Sequence, residues 1–321
     1  MKAIRVQQFG GPEVLVLKNV PDPEPGPNQV LIHVRAIGVN PIETYIRAGK
    51  YVNASVPYTP GTDAAGEVAK IGPRVHHVNV GARVYTTGSA TGAYANMTVC
   101  EAADVHGLPD GTSFAEGAAL GIPYGTAWRA LFQRASATPG ETVLVHGGSG
   151  GVGTAAVQLA RAAGLTVIAT AGTDIGMQLL RKLGAHYVLN HRQTDYLAEV
   201  PKLTENRGVD VILEMRADVN LGKDLPLLAR NGRVIVIGSR GKVEIDARDA
   251  MMRDADIRGM LLFNVSVKDK VSIRAALQAG LESGTVKPVI ARELPLEEAS
   301  RAHQLIMEPG ASGKIILIPK N

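Results

Sequence analysis

Two hydrophobic patterns divide the chain near Pro123. Before it, short apolar segments such as Ala3–Val6 and Val30–Ile37 are separated by turns, and residues 21–28 are so rich in proline and glycine that they must form a loop. Short strands of this kind predict a compact β-rich domain, which we place at residues 1–123.

After Pro123 the pattern changes to alternating strands and helices, beginning with a helix at residues 124–131. Such alternation favours a parallel sheet with helices on both faces, so the predicted fold class is α/β, with this second domain at residues 124–263. A helix at 270–281 and a strand at 314–318 remain. We expect residues 264–321 to return to the first domain and complete it.

Composition fits a globular protein of two domains, since the chain has 321 residues, of which 45% are hydrophobic and 20% charged. The formal net charge is +4, without a run of about five or six basic residues that would indicate a nucleic-acid arm. Cys100 is the single cysteine, which excludes an internal disulfide or a four-cysteine zinc lobe and favours a cytoplasmic location. We interpret Cys100 as a packed apolar residue rather than a redox thiol. We identify neither a signal peptide nor an apolar run of about 18 residues, so no membrane association is expected.

The segment Gly148–Gly153 matches the G-x-G-x-x-G pattern. The pattern alone is weak, but here a predicted strand at 142–146 precedes it and a predicted helix at 152–163 follows. In this context the glycines allow a tight turn and a close approach of pyrophosphate to the helix N-terminus. The sequence therefore predicts a dinucleotide site.

The residues after the next predicted strand indicate which dinucleotide binds. An NAD site usually has Asp or Glu there to hold the ribose 2′-hydroxyl, whereas this chain has Ala171 and Gly172. A 2′-phosphate would not be repelled, so we expect NADPH. We interpret Asp174 as the N-cap of the next helix. The candidate partners of the 2′-phosphate are Thr173, His191 and Arg192.

Four further segments, 38–45, 60–66, 122–127 and 236–241, together with the glycine turn, resemble the zeta-crystallin-like quinone oxidoreductases, a zinc-free family of the medium-chain dehydrogenase/reductase superfamily. The resemblance covers almost the whole chain. It implies a GroES-like catalytic domain plus a doubly wound Rossmann domain, NADPH as hydride donor and a quinone as acceptor. It also implies a homo-oligomer, either dimer or tetramer.

The resemblance also implies which residues contact the cofactor. These are Tyr45, Ser149, Gly150, Gly151, Val152, Gly172, His191, Asn220, Ile237, Gly238, Ser239, Arg240, Met260, Leu261 and Leu262. Gly176 departs from some bacterial relatives, which carry a lysine for the 2′-phosphate. Two residues have open alternatives: Glu214 could touch the cofactor or cap a loop, and Arg240 could line the cleft or form a surface salt bridge.

Zinc dehydrogenases of the superfamily have Cys and His-Glu where this chain has Asn40 and Thr62-Asp63, so we predict no metal. Without a metal to stabilise an alkoxide, the acceptor must already be electrophilic. The candidate groups that position the acceptor are Asn40, Tyr45, Tyr51 and Thr126. The alternatives are an NADPH-dependent enone or enoyl reductase and, outside catalysis, binding of AU-rich messenger RNA or a structural role, although no RNA-binding motif supports the former.

Overall fold

A computed structural model describes residues 1–51, 55–310 and 312–320 of the chain. The strands, in chain order, are β1 (Lys2–Arg5), β2 (Val16–Asn19), β3 (Gln29–Gly38), β4 (Asp63–Ile71), β5 (Arg83–Thr86), β6 (Met97–Glu101), β7 (Val105–Gly107), β8 (Thr142–Val145), β9 (Thr166–Ala171), β10 (Tyr187–Asn190), β11 (Val209–Glu214), β12 (Leu228–Val236), β13 (Asp256–Gly259), β14 (Ile290–Pro295) and β15 (Lys314–Ile318). The helices are α1 (Pro41–Arg47), α2 (Phe114–Gly117), α3 (Gly121–Trp128), α4 (Gly151–Ala162), α5 (Asp174–Lys182), α6 (Glu199–Leu203), α7 (Ala217–Asp224), α8 (Ala247–Met251), α9 (Val267–Ser283) and α10 (Ala299–Leu305).

The chain divides into two compact units, Met1–Ile122 with Pro288–Asn321, and Pro123–Lys287. The first unit contains a mainly antiparallel sheet with strand order β14-β15-β3-β4-β5-β7, and β6 also pairs with β3. The long strand β3 contributes Val34 and Ile37 to one apolar cluster, and Val30 and Ile32 to another. This unit is the predicted GroES-like domain.

The second unit contains six parallel strands in the order β10-β9-β8-β11-β12-β13. Renumbered within the unit, this is the 3-2-1-4-5-6 order of a Rossmann sheet. The central strand β8 is buried throughout, and Leu144, Ile168, Ile212 and Val234 belong to one core cluster. The predicted α/β fold class is confirmed. The strand order reverses between β8 and β11, and ligands bind at the carboxyl ends of strands beside such a reversal.

The predicted return of the chain at residue 264 is wrong, because residues 264–287 belong to the second unit. Helix α9 buries Ile273, Leu277 and Leu281. Gln158 on α4 then exchanges two 2.8 Å hydrogen bonds with the backbone of Lys287. The chain therefore returns to the first unit only at Pro288.

Two smaller features complete the fold. The helix predicted at 124–131 starts earlier, at Gly121, and continues beyond Trp128 as a π-helical turn, Arg129–Arg134.

No helix in the described ranges has both the length and the apolar character needed to cross a bilayer.

Candidate functional site

The glycine turn lies between β8 and α4, as the sequence predicts. Gly147 has a φ of +58°, and its N–H donates to Thr170 Oγ1 at 3.1 Å. The N–H of Gly148 donates to the Thr170 carbonyl at 2.8 Å, which ties the turn to the end of β9. Helix α4 begins at Gly151 and runs for 12 residues, so its unpaired N–H groups lie at the carboxyl edge of the sheet.

Gly153 allows α4 to pack directly against this turn. A Cβ atom at this position would lie 2.4 Å from the Gly147 carbonyl oxygen and 2.5 Å from Gly148 Cα. Both neighbours are backbone atoms, which cannot move aside as a flexible side chain can. The structure therefore brings Ser149, Gly150, Gly151 and Val152 together in one turn at the N-terminus of α4, where the sequence predicts the pyrophosphate.

The expected adenosine end also assembles within this unit. A Cβ at Gly172 would lie 2.4 Å from His191 Nε2 and 3.1 Å from Arg192 Nε, so both side chains lie over this glycine. Burial, followed by the charge of Arg192, lowers the pKa of His191. The imidazole is therefore mainly neutral at physiological pH, and Arg192 provides the positive charge.

Thr173, and not Asp174, is the N-cap of α5. The Thr173 hydroxyl accepts from the N–H of Gly176 at 3.1 Å, and Asp174 is the first residue of the helix, exposed at its surface. The N-cap prediction for Asp174 is wrong because the threonine one residue earlier already satisfies the third N–H of the helix.

The loop after β11 is held by Glu214. Its Oε1 atom accepts from the N–H of Arg216 and, at 3.3 Å, from Asn220 Nδ2 on α7. The Glu214 carbonyl accepts from the N–H groups of Ile237 and Gly238 at 2.9 and 3.2 Å. Of the two alternatives for Glu214, the structure supports the loop cap, and it orients Asn220.

The remaining predicted cofactor residues follow β12 and β13 at the same edge of the parallel sheet. Ser239 Oγ donates to the Gly241 carbonyl at 2.9 Å, and the N–H of Arg240 donates to Asp218 Oδ1 at 3.0 Å, with the Arg240 side chain exposed. The N–H of Met260 donates to the Val236 carbonyl at 3.0 Å, Leu261 is partly exposed, and Leu262 begins a short 3₁₀ turn. The loops therefore converge where the topology places a ligand.

In the first unit, Asn40 belongs to a buried ionic network. Its side chain is only 1% exposed, and Nδ2 donates to Asp63 Oδ2 at 3.0 Å and to Glu43 Oε1 at 3.3 Å. Its Oδ1 atom accepts from Lys314 Nζ. Both Asn40 polar groups are thus used internally, where they connect α1 with β15, and the role of Asn40 in positioning the acceptor stays a prediction.

These residues do not fit a zinc ion. Lys314 Nζ lies 3.6 Å from Asp63 Oδ2, and both Asp63 oxygens accept from the N–H of Ile122, at 3.0 and 3.1 Å. An amide, a single carboxylate and a neighbouring ammonium group do not form a zinc ligand set. The ammonium group would also repel a divalent cation.

A second buried chain of hydrogen bonds continues from Glu43 and was not found from the sequence. Tyr94 Oη donates to Glu43 Oε2 at 2.6 Å and lies 3.0 Å from His303 Nε2, and His303 Nδ1 lies 3.1 Å from Arg47 Nη1. Because Arg47 can only donate, His303 Nδ1 accepts and Nε2 carries the proton. Burial, then the charge of Arg47, lowers the pKa of His303 to about 3.

Glu43 also caps the N-terminus of α1. The N–H of Asn40 donates to Glu43 Oε2 at 2.9 Å, which is part of a capping box. The pattern Asn-Pro-Ile-Glu at residues 40–43 is the local signal that could have revealed this role. Burial raises the pKa of Glu43 to about 7, against the hydrogen bond from Tyr94.

Tyr45 and Tyr51 lie close together at the end of α1, and Thr126 lies in the second unit. Tyr45 is half-buried, and Tyr51 is 37% exposed. Partial burial, then Tyr45, raises the pKa of Tyr51, so its hydroxyl keeps its proton and can donate. Thr126 is buried in α3. A cavity of about 520 Å³ in the first unit is lined by Glu43 and Tyr58 but by neither Tyr45 nor Tyr51, so we do not assign it to the acceptor.

Comparison with known proteins places this arrangement in a family. Human quinone oxidoreductase is 48% identical over 321 residues, which covers 99% of this chain and 98% of that protein. The chain belongs to the quinone oxidoreductase family. Its residues 26–119 match the alcohol dehydrogenase GroES-like domain, and residues 151–278 match the family model described as zinc-binding dehydrogenase.

Solved structures support the same membership. An Escherichia coli quinone oxidoreductase complexed with NADPH has a TM-score of 0.89 and 30% identity, covering 99% of this chain and all of that one. The CurK enoyl reductase has a TM-score of 0.90 and 26% identity, covering 99% of both chains. The recognition of the family from its motifs is confirmed.

Proposed function

We propose that this protein is an NADPH:quinone oxidoreductase that works without zinc. The proposal depends on two features at the carboxyl edge of the Rossmann sheet. In the glycine turn, backbone atoms lie too close for a Cβ atom at Gly153, and after the next strand the side chains of His191 and Arg192 lie over Gly172. Membership of the quinone oxidoreductase family and the NADPH complex of the Escherichia coli relative support it.

The residues present fit NADPH. When bound, NADPH supplies the hydride. The N-terminus of α4 would hold the pyrophosphate through its free N–H groups, while Thr173 and Arg192 would hold the 2′-phosphate. Asn220, Ile237–Arg240 and Met260–Leu262 are proposed to contact the nicotinamide end, together with Tyr45.

The acceptor is proposed to be a quinone because the protein offers hydrogen-bond donors rather than a metal to the reduced oxygen. A quinone is electrophilic enough to accept hydride, and its developing negative charge needs only donors. Tyr45, Tyr51 and Thr126 are the groups we propose for positioning it. Asn40 acts behind them, through α1.

An enone or enoyl reductase is the second candidate, and the similarity to the CurK enoyl reductase favours it. The test is NADPH oxidation, followed side by side with a quinone and with an alkenal as acceptors, and then NADH in place of NADPH. We expect turnover of the quinone and tighter binding of NADPH. Turnover of the alkenal alone would contradict the quinone proposal, and equal affinity for the two dinucleotides would contradict the NADPH proposal.

We further propose a homo-oligomer formed through the edge of the Rossmann sheet. Strand β13 is an edge strand, and exposed apolar side chains surround it, including Met251, Met252, Ile257 and Phe263. An exposed edge with an apolar surround is typical of an interface between chains. Light scattering on the wild type and on Ile257→Lys tests this, since loss of the oligomer is expected only in the variant.

A cytoplasmic location is proposed because the chain has a single cysteine, Cys100, and a protein without an internal disulfide suits a reducing compartment. Cys100 is buried, and burial raises the pKa of its thiol to about 12, as expected for a packed apolar residue rather than a redox thiol. Cell fractionation tests the location.

RNA binding stays a prediction from the resemblance. It is tested by titrating an AU-rich RNA at low and high salt with NADPH as competitor.

A further inference from the structure

Three buried ionisable side chains lie close together at the point where the strand order of the Rossmann sheet reverses. His146 follows β8, Glu214 ends β11, and Asp224 ends α7. All three are buried, with the two carboxyl groups fully enclosed. His146 Nε2 lies 2.8 Å from Asp224 Oδ1 and 3.6 Å from Glu214 Oε2.

The triad has more hydrogen-bond acceptors than donors unless one of its carboxyl groups carries a proton. Glu214 and Asp224 lie within hydrogen-bonding reach of each other. Yet, within the described part of the chain, Glu214 Oε2 and Asp224 Oδ2 have no donor. Two ionised carboxylates cannot donate, and enclosing both would leave uncompensated charge, so one of them must carry a proton.

The triad also reaches the proposed cofactor loops. The second Glu214 oxygen, Oε1, is the atom that holds Asn220 and the N–H of Arg216. The loop and α7 are thereby tied to β11 on one side and, through Asp224 and His146, to β8 on the other.

We propose that His146, Glu214 and Asp224 form a proton-sharing triad that fixes Asn220 and the loop after β11, and so act as positioning residues for NADPH. The proposal rests on the proposed function for its cofactor. The shared proton stays within the triad, and no covalent or redox step is involved.

The direction of the pH dependence follows from the environment of the triad. Burial raises the pKa of Glu214 to about 7. The pKa of His146 is raised, against burial, by the hydrogen bond that its Nε2–H donates to Asp224 and by the negative charges of Asp224 and Glu214. The other titratable groups that face the triad are Tyr196 and His191. Both shifts in the triad are upward, so the folded state gains protons relative to the unfolded chain, and its stability falls as pH rises through about 7.

The experiment compares the wild type with Glu214→Gln and with a surface control, Glu199→Gln, whose carboxylate pairs with Lys202 at half exposure. The glutamine keeps an acceptor for Arg216 and Asn220 and gives Asp224 a donor that does not titrate. Between pH 6 and pH 8 we expect the thermal midpoint of the apoprotein to fall in the wild type and in the control, and to change clearly less in Glu214→Gln. The NADPH dissociation constant, followed by fluorescence, is expected to rise with pH in the same two proteins only.

Parallel pH slopes in all three proteins would overturn the proposal. If Glu214→Gln does not fold, Asp224→Asn replaces it. An infrared band of a protonated carboxyl group that is present at pH 6 in the wild type and lost in Glu214→Gln is also decisive, because the protonated Glu43 contributes equally to both proteins. If the two spectra do not differ, the proposal is overturned. One tightly held equivalent of divalent metal, lost with Glu214→Gln, would likewise overturn it by putting a metal ion in place of the proton. Failure of the wild type to bind NADPH would refute the proposed function, and the apoprotein measurements would still decide on the triad.

Discussion

Gly153 gives the sharpest test of the glycine turn. In Gly153→Ala the new Cβ would lie 2.4 Å from the Gly147 carbonyl oxygen and 2.5 Å from Gly148 Cα, whereas ordinary contacts of this kind lie between 3.4 and 4 Å. Because the neighbours are backbone atoms, relief requires α4 to move away from the turn by about 1 Å. That movement withdraws the N–H groups at the start of α4 from the pyrophosphate.

The magnitude follows from two terms. Overpacking by one methyl group against fixed backbone costs about 1–3 kcal/mol of folding free energy. Loss of one hydrogen bond to a charged phosphate costs about 1.5–3 kcal/mol of binding free energy, which corresponds to a roughly 10- to 150-fold increase in the NADPH dissociation constant. The variant should therefore fold with a lowered thermal midpoint and bind NADPH much more weakly.

Fluorescence titration with NADPH measures the binding, and circular dichroism measures the thermal midpoint. Gly111→Ala is the matched control, because a Cβ there meets no atom within 4 Å. If Gly153→Ala folds and binds NADPH within about twofold of the wild type, the assignment of the turn to the pyrophosphate is incorrect.

Three other predictions address the remaining parts of the site. Arg192→Ala should weaken NADPH by about tenfold and leave NADH affinity unchanged, as measured in parallel titrations. Lys314→Met leaves Asp63 buried without its cation, which should cost about 3–5 kcal/mol in denaturant unfolding, and adding Asp63→Asn should recover part of this loss. Glu43 has a pKa of about 7 in the folded protein and 4.5 as an unperturbed group, so its contribution is greatest below pH 4.5 and is lost as pH rises through 7. Glu43→Gln should flatten that part of the stability profile, and an unchanged profile would assign the titration to another group.

Local patterns predicted the Rossmann unit well because its signals are contiguous. The strand before Gly148, the turn itself and the helix after it lie within about 20 residues, and the alternation continues through the unit. The return of the chain was misplaced because α9 has the same local pattern whichever unit it packs on. Only contacts such as Gln158 with Lys287, 129 residues apart, decide its place.

The buried networks could not be predicted for the same reason. Asn40 and Lys314 are separated by 274 positions, and Tyr94 and His303 by 209. Neither pair belongs to a short motif, so the sequence gives no reason to place them together. Asn40 could therefore be named from its sequence only as a candidate for positioning the acceptor, whereas its partners Glu43, Asp63 and Lys314 become visible only in the fold.

The ammonium group of Lys314 links the absence of zinc ligands to the choice of acceptor. In the first unit it supplies the positive charge that balances Asp63, and it donates to Asn40. The resemblance places Asn40 and Thr62-Asp63 where zinc dehydrogenases have Cys and His-Glu. The positive charge of Lys314 is thus neutralised within the network and does not contact a substrate oxygen, as a metal ion with an open coordination position would. An acceptor that needs strong polarisation would gain little from this site. An acceptor that is itself electrophilic needs only hydrogen-bond donors, for which we propose Tyr45 and Tyr51, so this network fits the proposed quinone acceptor better than simple ketones or alcohols.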